Sequence, residues 1–319
     1  MWTHLKSVAP GIALMVASAC SPGGCAPREG GSPPVVKDGG NTARVHAEEK
    51  TSVTPVTPVT PVTPVTPVTT GTTATPASPG KAVAEEVPPV RGPTKWASDT
   101  INGLKRIAEA KTAKLEAVKE LFSDAKVSFP PEQILFRVFK KENRIEVWAA
   151  SAKVGPLTHV TTYEICYASG ELGPKRKEGD LQVPEGFYTV NLYNPSSTYY
   201  LAMQVSYPNL SDRILGDKRT PGSEIMIHGN CVSVGCMAMS DERAQEIWIE
   251  ANSVRDKGGT VHVHLFPTRD MAGLIAKTEK REHVPFWENI KEGFDLFGKT
   301  RVIPKVSIDK QGRYHFSEP

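Results

Sequence analysis

The sequence predicts an α+β domain, mainly β, with peripheral helices, preceded by a disordered linker rich in Pro and Thr. Short runs rich in Val, Ile, Thr, Tyr and Phe, separated by turn residues, recur from residue 134 onward. Apolar residues at three- and four-residue spacing mark a few helices between and after them. Before residue 95 the composition changes to Pro, Gly, Ser, Thr and Val, with a Thr-Pro-Val triplet repeated from Thr54 through Val68. The 319 residues allow one or two domains. A net charge of +3, with no long basic block, RNP-type motif or finger spacing, argues against nucleic acid as a partner.

Residues 1–20 read as a signal peptide. Met1–Lys6 is weakly basic and Ala9–Ala19 is largely apolar. That run is too short for a permanent span, which needs about 20 apolar residues. Its end, Ala17-Ser18-Ala19-Cys20, resembles a bacterial lipoprotein lipobox with Cys20 as the lipidated residue. Ordinary cleavage after Ala19 is the alternative. Residues 21–94 are expected to be a disordered tether, because Pro removes backbone donors and no large side chains build a core. Its triplets suit polyproline II, which rises about 3.1 Å per residue. A lipid anchor with such a spacer implies a domain held to a membrane surface, and Ser21 after the anchor cysteine resembles an outer-membrane signal.

The segment 95–129 reads as helix over Trp96–Lys126, stopped by Pro130-Pro131, and residues 130–319 as the folded domain. Whether this helix braces the domain or stands off it as a stalk is open from sequence. Strands follow at Ile134–Lys140 and Arg144–Ala150 about a Lys141-Glu142-Asn143 turn, then at Leu157–Cys166. A glycine-rich loop from Gly170 to Gly186 precedes strands at Phe187–Leu192 and Tyr200–Ser206. A polar loop, Pro208–Glu224, leads to a strand at Ile225–His228. Ser240 caps a helix with Asp241 and Glu242 in its first turn, ended by Gly258-Gly259. Thr260–Phe266 is a strand, Phe286, Ile290, Phe294 and Phe297 mark a C-terminal helix, and Val302–Asp309 with Arg313–Phe316 form a hairpin.

Chemically capable side chains crowd into Ile227–Met239, I-H-G-N-C-V-S-V-G-C-M-A-M. His228 closes a strand, and Cys236 lies four residues before the expected helix start. A thiol with an ordinary pKa of about 8.5 is a weak nucleophile at neutral pH. An imidazole and helix N-terminal dipoles lower that value, the Cys–His logic of acyl transfer. Gly229 and Gly235 allow close backbone approach, and amides beside Gly235 are placed to stabilise an oxyanion.

This stretch resembles the catalytic signature of the L,D-transpeptidase (YkuD-like) domains, and most closely the YafK-type murein L,D-transpeptidase branch. The G-E-L-G-P-K and P-E-G-F-Y segments and the aromatic C-terminal region agree in order over roughly residues 130 to 319. The resemblance implies a β-sandwich catalytic domain with no cofactor, in the bacterial envelope and periplasm, with peptidoglycan stem peptides as substrate. It makes Cys236 the acylated nucleophile and His228 its activator. Ser233 and Gly235 become loop-shaping signature positions, with amides near Gly235 and Cys236 as the oxyanion hole. Two positions depart from the common signature: Val234 replaces a His or Arg, and Ala238 replaces an Arg. The implied function is an envelope cysteine acyltransferase that transfers a Cys236 thioester to an amine. The alternatives are a hydrolase or amidase of the same fold that detaches lipoprotein or terminal residues from peptidoglycan, and a non-catalytic wall-binding lipoprotein.

In an oxidising envelope Cys166 is the natural disulfide partner of Cys231, leaving Cys236 as the unpaired thiol. His228, Cys231 and Cys236 with His262 or His264 offer a zinc-like spacing, but no C-x-x-C knuckle is present, so no metal is expected. Lys175, Arg176 and Lys177 read as a solvated loop, with Lys175 a candidate for substrate carboxylates. Arg213 and Arg219, before the His228 strand, are candidates for the same role. His262 and His264 read as structural or surface residues.

Overall fold

The computed structural model describes residues 101–318 and the backbone of Glu85–Glu86. The expected signal peptide, the Cys20 lipidation site, the rest of the 21–94 tether and the first residues of the 95–129 segment lie outside the described residues. Within the expected tether, Glu85–Glu86 forms a short strand, β1.

The elements then run α1 (Ile101–Asp124), β2 (Gln133–Phe139), β3 (Arg144–Ala150), β4 (Thr158–Glu164), β5 (Tyr167–Ala168), β6 (Gly186–Asn194) and β7 (Ala202–Val205). They continue as α2 (Leu210–Leu215), β8 (Met226–His228), β9 (Met237–Ala238), α3 (Asp241–Asp256), β10 (Val261–Phe266), α4 (Met271–Lys277), α5 (Val284–Thr300), β11 (Lys305–Ile308) and β12 (Tyr314–Ser317). Nine strands form one large curled sheet in the order β4-β3-β2-β10-β6-β7-β8-β9-β5. Only the β2–β10 and β8–β9 pairs are parallel. Strands β1, β11 and β12 make a second, small sheet. The domain is thus mixed and β-rich, as the alternating apolar runs require.

Each face of the large sheet is covered because each carries apolar side chains. On one face, Ile134, Val147, Val190, Met203, Ile227, Met237 and Val263 pack with Ile247, Trp248 and Ala251 of α3 and with Ala110, Val118 and Phe122 of α1. Phe122 meets Phe129 edge to face, with centroids 5.1 Å apart. Lys114 Nζ pairs with Glu246 Oε1 of α3 at 3.1 Å. Helix α1 is therefore a brace on the domain rather than a stalk. On the other face, Phe139, Phe187 and Phe266 pack with Phe286, Trp287 and Ile290 of α5 and with Tyr314 of β12.

Helix α3 begins where its cap residue predicts. Ser240 Oγ accepts the Arg243 N–H, and Asp241 and Glu242 occupy the first turn. One carboxylate of this helix is fully buried. Glu250 accepts a 2.8 Å hydrogen bond from Tyr163 Oη, and burial pushes its carboxyl up to about 8.

Two expectations are corrected. The polar loop Pro208–Glu224 contains α2, closed by a reciprocal Asn209–Asp212 capping box. The glycine-rich loop is not solvated at Lys175, whose Nζ is buried against Asp180 Oδ1 at 2.6 Å and the Lys177 carbonyl at 2.9 Å. Asp180 also accepts the backbone N–H groups of Arg176 and Lys177, so this carboxylate folds the loop around the buried Lys175, while Lys177 stays exposed. Buried Glu185, in the P-E-G-F-Y segment, accepts from Lys140 Nζ, the Gly173 N–H and Trp287 Nε1. That network ties the glycine-rich loop to β2 and α5.

Candidate active site

Strands β8 and β9 build the site. Their register aligns Ile227 with Met237 and His228 with Ala238. Ile227 and Met237 enter the core, so alternation turns Met226 and His228 of β8 and Ala238 of β9 to the opposite face. His228 ends β8 and Cys236 directly precedes β9, its parallel partner strand, and no hydrogen bond joins the two residues in this structure.

The sulfur and the ring each have other partners. Cys236 Sγ accepts the Met226 N–H at 3.3 Å and donates to the Glu224 carbonyl at 3.5 Å. His228 is 2% exposed, and its Nδ1 lies 2.7 Å from the Gly229 carbonyl. With the proton on Nδ1, the other ring nitrogen is the basic one. Tyr199 stacks obliquely on the imidazole, with centroids 5.1 Å apart.

The expected lowering of the thiol pKa is not found. Burial pushes the Cys236 thiol up, more than the Met226 N–H, Lys175 and the Ser233 hydroxyl pull it down. Burial likewise lowers the His228 imidazole, against hydrogen bonds to the Gly229 and Tyr199 backbone. The resting pair is thus a neutral thiol and a neutral imidazole, which suits a base that takes the proton during attack.

The amides expected to form an oxyanion hole are engaged. Cys236 N–H donates to Ser233 Oγ at 2.7 Å, and Ser233 Oγ donates to the Cys236 carbonyl at 2.8 Å. Gly235 N–H donates to Ser169 Oγ at 2.5 Å. Ser233 and Ser169 thus lock the loop, and the amide facing the sulfur is that of Met226. Gly235 adopts φ +90°, where a side chain is strained. Gly229 is held for a different reason. A Cβ there would sit 2.5 Å from Asp241 Oδ1, which accepts the Asn230 N–H, and 3.1 Å from the Tyr200 ring.

Cys166 and Cys231 are joined in a disulfide, with Cα atoms 5.7 Å apart, and Cys236 is the free cysteine among the described residues. Cys166 N–H donates to the Ala238 carbonyl and Cys231 N–H to the Met239 carbonyl, so the bridge fastens the loop across β9. Lys175 reaches the site by charge alone, through its pull on the thiol. Arg213 is exposed and its Nε donates to the Pro208 carbonyl. Arg219 is exposed on the same polar segment. Ser169, the Met226 amide, the Glu224 carbonyl and Tyr199 are site residues that carry no motif of their own.

His262 and His264 stand away from this arrangement, lining a cavity of about 460 Å³ with Phe187, Thr189 and Ser206. Burial lowers His262 to about 4 and His264 well below the ordinary range, so both are neutral. Among the described residues, no group of three or more His, Cys, Asp or Glu is placed to hold a metal ion. Among them also, no helix is long and apolar enough to cross a membrane.

Comparison with known proteins bears on the same residues. The family model of the YkuD L,D-transpeptidase catalytic domain matches residues 128–263, which include His228 and Cys236. The Escherichia coli (strain K12) protein named "Putative L,D-transpeptidase YafK" is 36% identical over 189 residues, covering 58% of this chain and 74% of that protein. Among solved structures, the helical cell shape determining protein Pgp2 of Campylobacter jejuni is 15% identical, with 62% of this chain and 97% of that chain covered and a TM-score of 0.36. A mutant form of Pgp2 is 21% identical over 57% of this chain, at a TM-score of 0.35, and this chain spans 63% of it. By its match to the family model and to the E. coli relative, the chain belongs to the YkuD family of L,D-transpeptidase catalytic domains.

Proposed function

We propose that the chain is an envelope cysteine acyltransferase acting on peptidoglycan stem peptides through a Cys236 thioester. The observation that carries this reading is the placement of the free thiol. Cys236 is the unpaired cysteine of the described residues, meets a backbone N–H at 3.3 Å, and directly precedes β9, the partner of the strand that ends at the buried His228 imidazole. In the proposed reaction His228 takes the Cys236 proton as sulfur attacks the carbonyl at the L-centre of meso-diaminopimelate. The imidazolium returns that proton to the departing amine. An amine acceptor then attacks the thioester and restores the thiol. The Met226 amide, aimed at sulfur, favours the thiolate.

A second reading, hydrolysis of the same thioester by water, has its own support. Val234, two residues before the nucleophile, is 75% exposed, and Val232 and Tyr199 are exposed as well. None of these three rim side chains carries a charge to position a second stem peptide. The two-residue β9 follows the nucleophile directly, and Ala238 is buried there, so no polar group reaches the rim from that position.

The proposed organisation is a signal peptide through residue 20, a tether over 21–94, the bracing helical segment 95–129 and the catalytic domain 130–319. The proposed location is the periplasmic face of the outer membrane, with Cys20 lipidated. Its support is the lipobox-like sequence and the Pro/Thr-rich spacer after it. The mass of the mature N-terminal peptide tests the anchor: an unmodified peptide beginning at Cys20 removes it.

Incubation of the domain with purified muropeptides, followed by mass analysis, tests the chemistry. Cross-linked or exchanged peptides mean transfer, and free tripeptide ends mean hydrolysis. Cys236→Ala is expected to abolish both products and the covalent acyl-enzyme mass. Unchanged product yield from that variant would remove the mechanism, whereas a parent that forms neither product nor a covalent thiol adduct would favour a wall-binding role.

A further inference from the structure

The turn between β6 and β7 lies over His228, and its conformation is an unusual one. Tyr200 and Leu201 are consecutive non-glycine residues with φ of 59° and 45°, a left-handed pair that persists only where surroundings hold it. The turn reaches His228 in two ways. The Tyr199 ring lies on the imidazole, and the Tyr200 carbonyl accepts the Gly229 N–H at 2.9 Å. Gly229 in turn offers its own carbonyl to His228 Nδ1. A shift of the turn therefore moves both the ring packed on the imidazole and the backbone that orients it.

What holds the turn comes from α1. Arg106 Nη1 donates to the Pro195 carbonyl at 3.1 Å and to the Ser197 carbonyl at 2.6 Å. Its guanidinium also lies 5.4 Å from the centroid of the Tyr200 ring. Tyr200 Oη, at the far end of that ring, accepts from Gln245 Nε2 of α3 at 2.7 Å. Ile107, next to the arginine, packs partly buried against the core, but the helix start before it does not. Ile101 and Leu104, the large apolar residues nearest it toward the helix start, are 86% and 60% exposed. Arg106 is only half-buried, and no ion pair to a carboxylate is recorded for it among the described residues. Its charge is spent on two carbonyls and an aromatic face of one turn.

We infer that Arg106 is a positioning residue for the reaction, clamping the 195–201 turn so that Tyr199, Tyr200 and Gly229 hold the His228 imidazole in place. The inference rests on the reading of His228 as the base that activates Cys236. It gives α1 a role beyond bracing, because a residue outside the family-matched segment 128–263 then governs the base within it. A planar guanidinium suits the task, since its Nη1 donates to both carbonyls while its face lies against the ring.

The test uses the full chain with Arg106→Ala and Arg106→Lys, assayed on purified muropeptides and by NMR with ¹⁵N-histidine labelling. Misplacement of a base by about 1 Å costs up to roughly 100-fold in rate. Arg106→Ala is accordingly expected to lower kcat by about 10- to 100-fold with KM little changed. The His228 Nδ1–H resonance, held on the Gly229 carbonyl, is expected to be sharp in the parent and broadened by exchange in the variant. Arg106→Lys, which keeps a donor but not the fork, should recover part of kcat and part of the signal. If Arg106→Ala does not fold, Arg106→Gln, with a similar stem and one amide donor, carries the same expectation. A folded variant with parental kcat and an unchanged His228 resonance overturns the inference. A broadened resonance in a protein whose parent transfers and hydrolyses nothing would instead remove the proposed activity while leaving the clamp in place.

Discussion

Replacing both Cys166 and Cys231 by serine should cost the folded chain about 4 kcal/mol. The bridge closes a loop of 65 residues, and the chain-entropy relation for a loop of that size gives about 4.3 kcal/mol at 25 °C. For a domain of this size each kcal/mol moves the melting temperature by roughly 2–4 °C. The double variant should therefore melt roughly 8–17 °C below the parent under non-reducing conditions. The loss should not be spread evenly. Both cysteines donate their backbone N–H groups to carbonyls at the end of the two-residue strand β9, Ala238 and the following Met239. Cys231 itself adopts φ 41° beside Asn230 at φ 65°, so the loop carrying Ser233, Gly235 and Cys236 leans on the bridge for its shape. Calorimetry gives the first readout. Amide exchange at Met226, Gly235 and Cys236, measured well below the melt, gives the second. Those amides should exchange faster in the variant, while amides of the β2–β10 pair keep their parental order of protection. A melting temperature within about 2 °C of the parent would refute the loop-entropy estimate. Unchanged exchange at Gly235 and Cys236 would refute the claim that the bridge holds the site.

Two further outcomes follow from the cores on either side of α3. Glu250 has a folded pKa of about 8 against an ordinary 4.5, so between those values the folded state keeps a proton that the unfolded chain releases. Stability contributed at this residue falls as pH rises through that window and levels off above it. Glu250→Gln removes the titration, so its melting temperature should exceed the parent's above pH 8, with the gap closing toward pH 4.5; parallel curves across that range would contradict this. Phe122→Ala empties a fully buried site between α1 and the sheet and should cost about 3–5 kcal/mol in denaturant unfolding, whereas a cost near zero would mean that α1 does not brace the domain.

The elements most legible in the sequence were those with a strong local signal. Strand β3 runs over Arg144–Ala150 as its alternation predicts, and α3 starts after Ser240 as its cap predicts. Helix α2 was missed because six residues leave no periodicity to read, although Asn209 and Asp212 carry the spacing of a capping box. The stripe on α1 was misleading at its start. Ile101 and Leu104 fit the helical period but face solvent, whereas the buried face of α1 runs through Gly103, Ala110, Val118 and Phe122. Lys175-Arg176-Lys177 looked like a solvated run because hydropathy counts charge and not partners. Asp180, five residues along, is what lets Lys175 be buried.

Sequence by itself determined the family, the β-rich composition of the domain and the residues able to do chemistry, because these depend on residue type and local order. It placed His228 at a strand end and Cys236 before a capped helix. Tertiary structure decided how those groups are disposed. Burial between packed elements sets the thiol above and the imidazole below their ordinary pKa values. Ser169 and Ser233 occupy the amides that local reading assigned to an oxyanion. Arg106, 122 residues before His228 in the chain, meets the turn that covers it. Solvation and hydrogen-bond occupancy depend on groups brought together from distant parts of the chain, and no local pattern contains them.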